Sequence, residues 1–292
     1  MDFLVLAILQ ALCFGPLVLG LYLSMTIFKL PDITTDGSYT LGAVLTAIGL
    51  SHHWPIWAIL PIAIGGGAIA GSITAWIHTR LRIQALLAGI LVMTALYSVN
   101  LSLMGRSNIP LLAYDTVFSL LTVFDTLDYN TLLTLLLLLT GILGVKTFLL
   151  KSDFGIAMRA TGDRESMVEA LGVNTHWMKC YGLAISNALV ALSGSLITQF
   201  QGFADINMGI GIVISGLGSV IIGESIIRLS GTRSVPLALL FVLCGALLFQ
   251  TVLAFTLKLG VDASMLKLVT SVLVLLIVAL PQWKFFSKLK SI

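Results

Sequence analysis

The feature that most constrains this chain is a succession of long apolar runs separated by short polar joints. They fall near residues 3–28, 39–50, 55–77, 84–105, 131–150, 180–200, 209–227, 234–257 and 264–281. A helix needs about 20 predominantly apolar residues to cross a bilayer, and most of these runs reach that length. The expected fold is all-α: a polytopic membrane protein with about nine membrane segments, some broken or re-entrant, in one transmembrane domain over 1–292. Composition points the same way. Charged residues make up 10% of the chain, against about 25% in soluble domains.

The first run follows Met1-Asp2 with no basic stretch and no small-residue cleavage site after it. It reads as a retained span and not as a signal peptide. The net charge of +3 is small and scattered, so no nucleic-acid partner is expected. Cys13, Cys180 and Cys244 lie in or beside apolar runs without metal-ligand spacing. They are expected to be buried small hydrophobes, with no metal site. His52 and His53 share a short outer loop, where a metal role is conceivable but not expected.

Basic residues orient the segments. Placing the loops after 28, 78, 150 and 227 and the C-terminus on one side gathers most of them there. These are Lys29, Arg80, Arg82, Lys146, Lys151, Arg159, Arg164, Lys179, Arg228, Arg233, Lys284, Lys288 and Lys290. Of the 16 basic residues, only Arg106, Lys258 and Lys267 fall opposite. The positive-inside rule makes the crowded side cytoplasmic. The outer loop 106–130, with Asp115, Asp125 and Asp128, agrees. The N-terminus then faces out.

Polar residues interrupt the apolar pattern at a few depths. The 39–50 run is too short to span, so it must borrow from Leu30-Pro-Asp-Ile-Thr-Thr-Asp-Gly-Ser38 or be half of a broken helix. Asp32, Thr34 and Asp36, between Pro31 and Gly37, are candidate pathway or hinge residues, since broken helices build substrate and ion sites. An interfacial loop at the cytoplasmic surface is the competing reading. The stretch Gln199–Gly211 faces the other side, and Gln199, Gln201, Asp205 and Asn207 are candidates there. Its Asp205-Ile-Asn-Met-Gly209 loosely echoes Asp32–Gly37. Glu224 is either functional, as carboxylates at depth usually are, or paired with Arg228 one turn on. Asn100 and Asn187 are expected to bond between helices. Gly65-Gly-Gly67, Gly71, Gly216 and Gly218 allow close helix approach, within the chain or against a second copy. Trp54, Trp57 and Trp76 sit where interface anchors belong.

Residues 151–179 form the sizeable polar segment of the basic side. Asp163 as N-cap, Glu165 in the first turn and Gly172 at C′ predict a helix over 164–171. Met167, Val168 and Leu171 would give it an apolar face that so short a helix cannot bury alone.

The pattern Gly155-x3-Arg159-Ala-x-Gly162-Asp163-x5-Glu169-Ala170-Leu171-Gly172-Val-Asn174 resembles the cytoplasmic coupling loop of ATP-binding cassette importer permeases. The similarity is greatest to the class serving branched-chain amino acids and ribose-type sugars. Pro31–Ser38, Leu87–Ser98 and Gln201–Gly211 resemble a bacterial subfamily associated with tryptophan or tyrosine uptake. The resemblance implies two permease copies, two cytoplasmic ATPases carrying ATP and Mg, and an extracytoplasmic binding protein. It implies that Asp163, Arg164, Glu165, Met167, Val168, Glu169, Ala170, Leu171 and Gly172 dock on the ATPase. No cofactor is expected in this chain, which lacks GxxxxGK[ST]. Its other neighbour would be membrane lipid, in the bacterial inner membrane. The alternative is a proton-coupled secondary transporter using Asp32, Asp36 or Glu224. A membrane enzyme would need a catalytic constellation, and none is present in the sequence.

Overall fold

The structure is a computed structural model that describes residues 3–120, 126–232, 234–262 and 265–289. Arg233 and Lys290, counted above with the basic side, and Asp125, counted with the opposite one, lie outside the described residues. Eleven helices carry the fold among the described residues: α1 Phe3–Leu21, α2 Thr34–Ser51, α3 Ile56–Arg80, α4 Ala85–Met104, α5 Leu127–Lys151, α6 Asp153–Asp163, α7 Glu165–Ala170, α8 Thr175–Gln201, α9 Ile212–Ser230, α10 Val235–Lys258 and α11 Leu266–Leu289. A π-helical turn, Tyr22–Ile27, continues α1. Seven segments, those of α1, α3, α4, α5, α8, α9 and α10, are long and apolar enough to cross a membrane.

Helix α2 holds the centre. It is one of the more polar of the long helices and nearly every residue in it is buried, against α3, α4 and α8. It starts at Thr34, so the short apolar run does borrow the preceding polar stretch, and residues 29–33 remain non-helical. In lipid, apolar burial gives little drive for helices to associate. Close packing of small residues and interhelical hydrogen bonds do the work. The α2–α8 seam shows both. Gly42 lies on the Ala191 backbone and Gly194 on that of Tyr39. Ser38 donates to Asn187 at 2.7 Å, and Thr46 donates to Ser195 at 2.6 Å. Beside this seam, Gly67 and Gly71 of α3 meet the carbonyls of Asn187 and Leu183. Gly216 packs on Leu17 and Leu21, and Gly218 on Phe249 and Val274. These glycines serve contacts within the chain; a Cβ at Gly65 would meet open space.

The pairs Ser38–Asn187, Gly42–Ala191 and Thr46–Ser195 advance together, so α2 and α8 run parallel. α1 runs against them, since Cys13 and Gly20 accept from Ser193 and Ser186. The loops thereby sort into two ends. At one, Lys29 pairs with Asp163, Arg80 and Arg82 lie beside Asn174, and Tyr22 lies near Thr232. This is the basic end. At the other, strand β1 (Asn108–Pro110) pairs antiparallel with β2 (Phe203–Asp205), and the His53 ring lies against Tyr114.

Three expectations need correction. Lys146, counted above among the basic loops, is buried within α5. Its ammonium bonds the Leu19 carbonyl beside the π-turn and lies 5.7 Å from the Tyr22 ring centroid. Of the cysteines only Cys13 is buried; Cys180 is half-buried and Cys244 exposed on α10. The predicted helix over 164–171 is shorter and differently capped. Asp163 ends α6, a helix the sequence reading missed, and extended backbone at Arg164 separates it from α7. The Asp163 carboxylate pairs with Lys29 instead of capping α7. Gly172, with φ +84°, does take the left-handed position after the helix.

Candidate functional site

The non-helical stretch before α2 runs inward from exposed Lys29 and Pro31: Asp32 is 1% exposed, and Asp36 in the first turn of α2 is 8% exposed. Pro31 and the turn around Asp32 explain why the helix starts late. One Asp32 oxygen accepts from the Thr34 amide at 2.9 Å, and the Asp32 carbonyl accepts from Thr35 Oγ1. The other carboxylate oxygen accepts from Asn187 Nδ2 at 2.7 Å. Asn187 in turn accepts from Ser38, and Thr34 bonds Thr74 of α3 at 2.8 Å. Asp32 and Thr34 thus knot α2, α3 and α8 together. Asn187 sits about 18 Å along α8 from its start, which puts the knot near the middle of the bundle.

One turn on, Asp36 does something different. Its two oxygens accept from the amides of Gly211 and Val213 at 2.9 and 3.0 Å. These belong to the N-cap and first turn of α9, so Asp36 caps a helix whose N-cap residue lies 175 residues further on. The chain reaches this point from β2, dropping along α2 until Gly209 meets the Asp36 carbonyl. Asp205 forms the same local turn as Asp32, accepting from the Asn207 amide at 2.8 Å. The likeness between the two sequence stretches therefore corresponds to a shared turn at two interrupted helices. Asp36→Ala would leave both amides without an acceptor, at a cost of roughly 1–3 kcal/mol. The expected result is a lower thermal midpoint on size-exclusion chromatography, with Asp36→Asn, which keeps one acceptor, in between.

A small cleft opens on Asp36. It has a volume of about 30 Å³, enough for a water molecule, and is lined by Asp36, Thr40, Met93, Tyr97 and Asn100 with Ile206 and Ile210. Asn100 Nδ2 donates to the Gly37 carbonyl at 3.3 Å, while its Oδ1 is buried without a hydrogen-bond partner. Outward from the cleft, α4 exposes Thr94, Tyr97, Ser98 and Ser102 among exposed Leu87, Ile90, Leu91 and Leu101.

The other candidates do not join the cleft. Gln199 is buried and accepts from the Val117 amide at 2.8 Å. Gln201 and Asn207 are exposed toward the β1–β2 end, and Asp205 accepts from Asn108 there. Glu224 lies toward the basic end, where it accepts from Thr26 at 2.7 Å and pairs with Arg228 at 3.4 Å. Its pairing with Arg228 is as the helical spacing foretold.

At the basic end, α6 and α7 form a connector tied to the spans at both ends. Lys29 pairs with Asp163 at 2.7 Å, and Lys179 with Glu165 at 2.6 Å. Thr175 donates to Glu169. Val168 is buried, while Met167 and Leu171 are 59% and 72% exposed. The Lys29 bond and charge hold the Asp163 carboxyl below the ordinary range. Burial works against the Glu165 anion, but the bond and charge of Lys179 outweigh it, so that carboxyl is also depressed. A depressed carboxylate stabilises the fold above its ordinary pKa and loses that contribution as pH falls through the lowered value. Amide exchange of 153–170, corrected for its intrinsic rate, is expected to hold steady from about pH 8 to 5 and to quicken below about pH 4.

A bundle of membrane-length helices around a buried polar helix, with a buried carboxylate tying the start of α2 to that of α9, fits a membrane transport protein. The family described as branched-chain amino acid transport system permease component matches residues 3–279. A tyrosine transport system permease protein of Clostridioides difficile is 36% identical over 278 residues, covering 92% of this chain and 88% of that one. An uncharacterized Rickettsia prowazekii protein is 39% identical, covering 93% and 95%. An inward-facing structure of a metal-chelate type ABC transporter shares the fold, with TM-score 0.54 and 15% identity over 95% of this chain and 85% of that one. The chain belongs to the branched-chain amino acid transport system permease family, a multi-pass membrane component of ABC transporters.

Proposed function

We propose that this chain is the permease subunit of an ATP-binding cassette importer that passes a small metabolite, an aromatic amino acid by preference, through a pathway between two copies. The observation that carries the reading is the Asp36 cleft, where a buried carboxylate and the unpartnered Asn100 Oδ1 face a small opening beside Tyr97. Polar groups at membrane depth belong against a water-filled or protein-lined passage. Tyr97, 44% exposed, offers a ring for stacking and a hydroxyl. Asn100 Oδ1 is an acceptor for an ammonium group. The Clostridioides difficile relative, named for tyrosine transport, supports the substrate class.

The drive would come from two cytoplasmic ATPases docking on Asp163–Gly172. A connector ion-paired to α8 and to the end of α1 is stiff enough to transmit their closure. Its exposed Met167 and Leu171 are apolar groups suited to a groove in a partner. The interrupted starts of α2 and α9 are the natural hinge. They meet through hydrogen bonds, not continuous helix, so they can shift without breaking a helical ladder. An extracytoplasmic binding protein would deliver substrate at the β1–β2 end, where Gln201 and Asn207 are exposed.

The test is uptake of labelled tyrosine, tryptophan, leucine and ribose by proteoliposomes holding this chain with its ATPase and binding protein. ATP-dependent uptake of tyrosine or tryptophan above leucine is expected. Uptake of ribose alone would refute the substrate class. Tyr97→Ala is expected to raise KM about tenfold, the order expected for loss of one aromatic contact, without lowering the thermal midpoint.

A further inference from the structure

At the basic end, α3 and α8 enclose two adjoining cavities that nothing in the transport reading uses. The outer one, about 380 Å³, is lined by Arg80, Arg82 and His176, with Asn174 and Thr79 beside them. The inner one, about 350 Å³, is almost wholly apolar and is lined by Ile69, Ile73 and Tyr181. Both share Trp76, Trp177 and Cys180, so they form one groove that passes from cationic to apolar. From Arg80 to Ile69 the groove follows α3 for about 16 Å. That is close to half of a hydrocarbon core of about 30 Å, the depth of one leaflet. Trp76 and Trp177, 55% and 59% exposed, flank the change in polarity, where aromatic rings favour the lipid headgroup level.

The charges are unspent. Among the described residues neither Arg80 nor Arg82 pairs with a carboxylate. The acids near the start of α8 are bonded elsewhere, Glu165 to Lys179 and Glu169 to Thr175, and Glu165 also feels the nearby His176 ring. The turn carrying the arginines is pinned by the His78 ring, which bonds the Ile83 carbonyl at 2.7 Å.

We propose that this groove holds an anionic phospholipid of the cytoplasmic leaflet. Its phosphate is bound by Arg80, Arg82 and His176, and an acyl chain lies along Ile69, Ile73 and Tyr181. Basic pockets between spans on the cytoplasmic side suit such headgroups, and the apolar continuation excludes a free anion as the natural occupant. The lipid would bridge α3 to the start of α8, next to the connector, so its binding would steady the element proposed to meet the ATPase.

The test is native mass spectrometry of the full-length protein titrated with dimyristoyl phosphatidylglycerol and with phosphatidylcholine of the same chains. About tenfold tighter binding of phosphatidylglycerol is expected. The preference should vanish in Arg80→Gln/Arg82→Gln and persist in Arg80→Lys/Arg82→Lys. Equal binding of the two lipids, a preference that survives the glutamine variant, or equally strong binding of inorganic phosphate would each overturn the proposal. In nanodiscs, a variant carrying Trp54→Phe, Trp57→Phe and Trp283→Phe reports on Trp76 and Trp177 alone. Brominated phosphatidylglycerol should quench it more than brominated phosphatidylcholine. Absence of quenching would mean that protein covers the groove, and would also overturn it.

Discussion

A methyl group added at Gly42 is expected to keep α2 from seating against α8 and to abolish folded protein in the membrane. A Cβ there falls on the carbonyl oxygen of Ala191, with that residue's carbonyl carbon and Cα close behind. All three are backbone atoms of a helix, so no side-chain rotation relieves the overlap. The helices must part, and the bonds one turn away on either side, Ser38–Asn187 and Thr46–Ser195, stretch with them. Because lipid supplies little compensating drive, close approach is what holds this seam. The control is Gly65→Ala, where a Cβ meets nothing within 4 Å. There the better helix propensity of alanine is free to act, worth up to about 1 kcal/mol. Yield of monodisperse protein after membrane extraction separates the two: near zero for Gly42→Ala, unchanged for Gly65→Ala.

The second large effect is expected at Asn187. Its side-chain amide donates to Asp32 and to the Leu183 carbonyl while its oxygen accepts from Ser38. Asn187→Leu leaves a carboxylate that is 1% exposed short of a bond to its second oxygen. Stranding a buried carboxyl oxygen costs about 1–3 kcal/mol. Removing the acid as well should recover part of that loss. The double variant Asp32→Asn/Asn187→Leu is therefore expected to unfold at a higher temperature than Asn187→Leu alone. Additive losses would show that the two residues do not act together.

The interrupted start of α2 was legible in the sequence because Pro31, Gly37 and two aspartates have no cheap place inside a continuous span. Its depth was not, since a loop at the surface would show the same residues. Nor could the partner of Asp36 be read: Gly211 and Val213 offer backbone amides, which leave no mark in side-chain chemistry. Counting charges placed Lys146 at the surface because a lysine near a helix end usually snorkels outward. Here the carbonyl of Leu19, beside a π-turn, draws it inward. The connector was half legible. Gly172 marked its end through the need for positive φ, whereas Asp163 looked like a cap but serves as the partner of Lys29. The charge count already set Gln201 on the outer side and Glu224 toward the cytoplasmic end of its span, and in the structure Gln201 is exposed near the β1–β2 end while Glu224 bonds Thr26 toward the basic end.

The central claim is that the α6–α7 connector receives the stroke of an ATPase. It is tested most directly by a cross-linker on Met167→Cys in a background with Cys13, Cys180 and Cys244 replaced. The account predicts that a nucleotide-binding ATPase is captured from the assembled complex and that capture changes with bound ATP. Failure to capture one, with uptake persisting in ATP-depleted vesicles, would contradict it and turn attention to Asp32, Asp36 and Glu224 as carriers of a coupling proton.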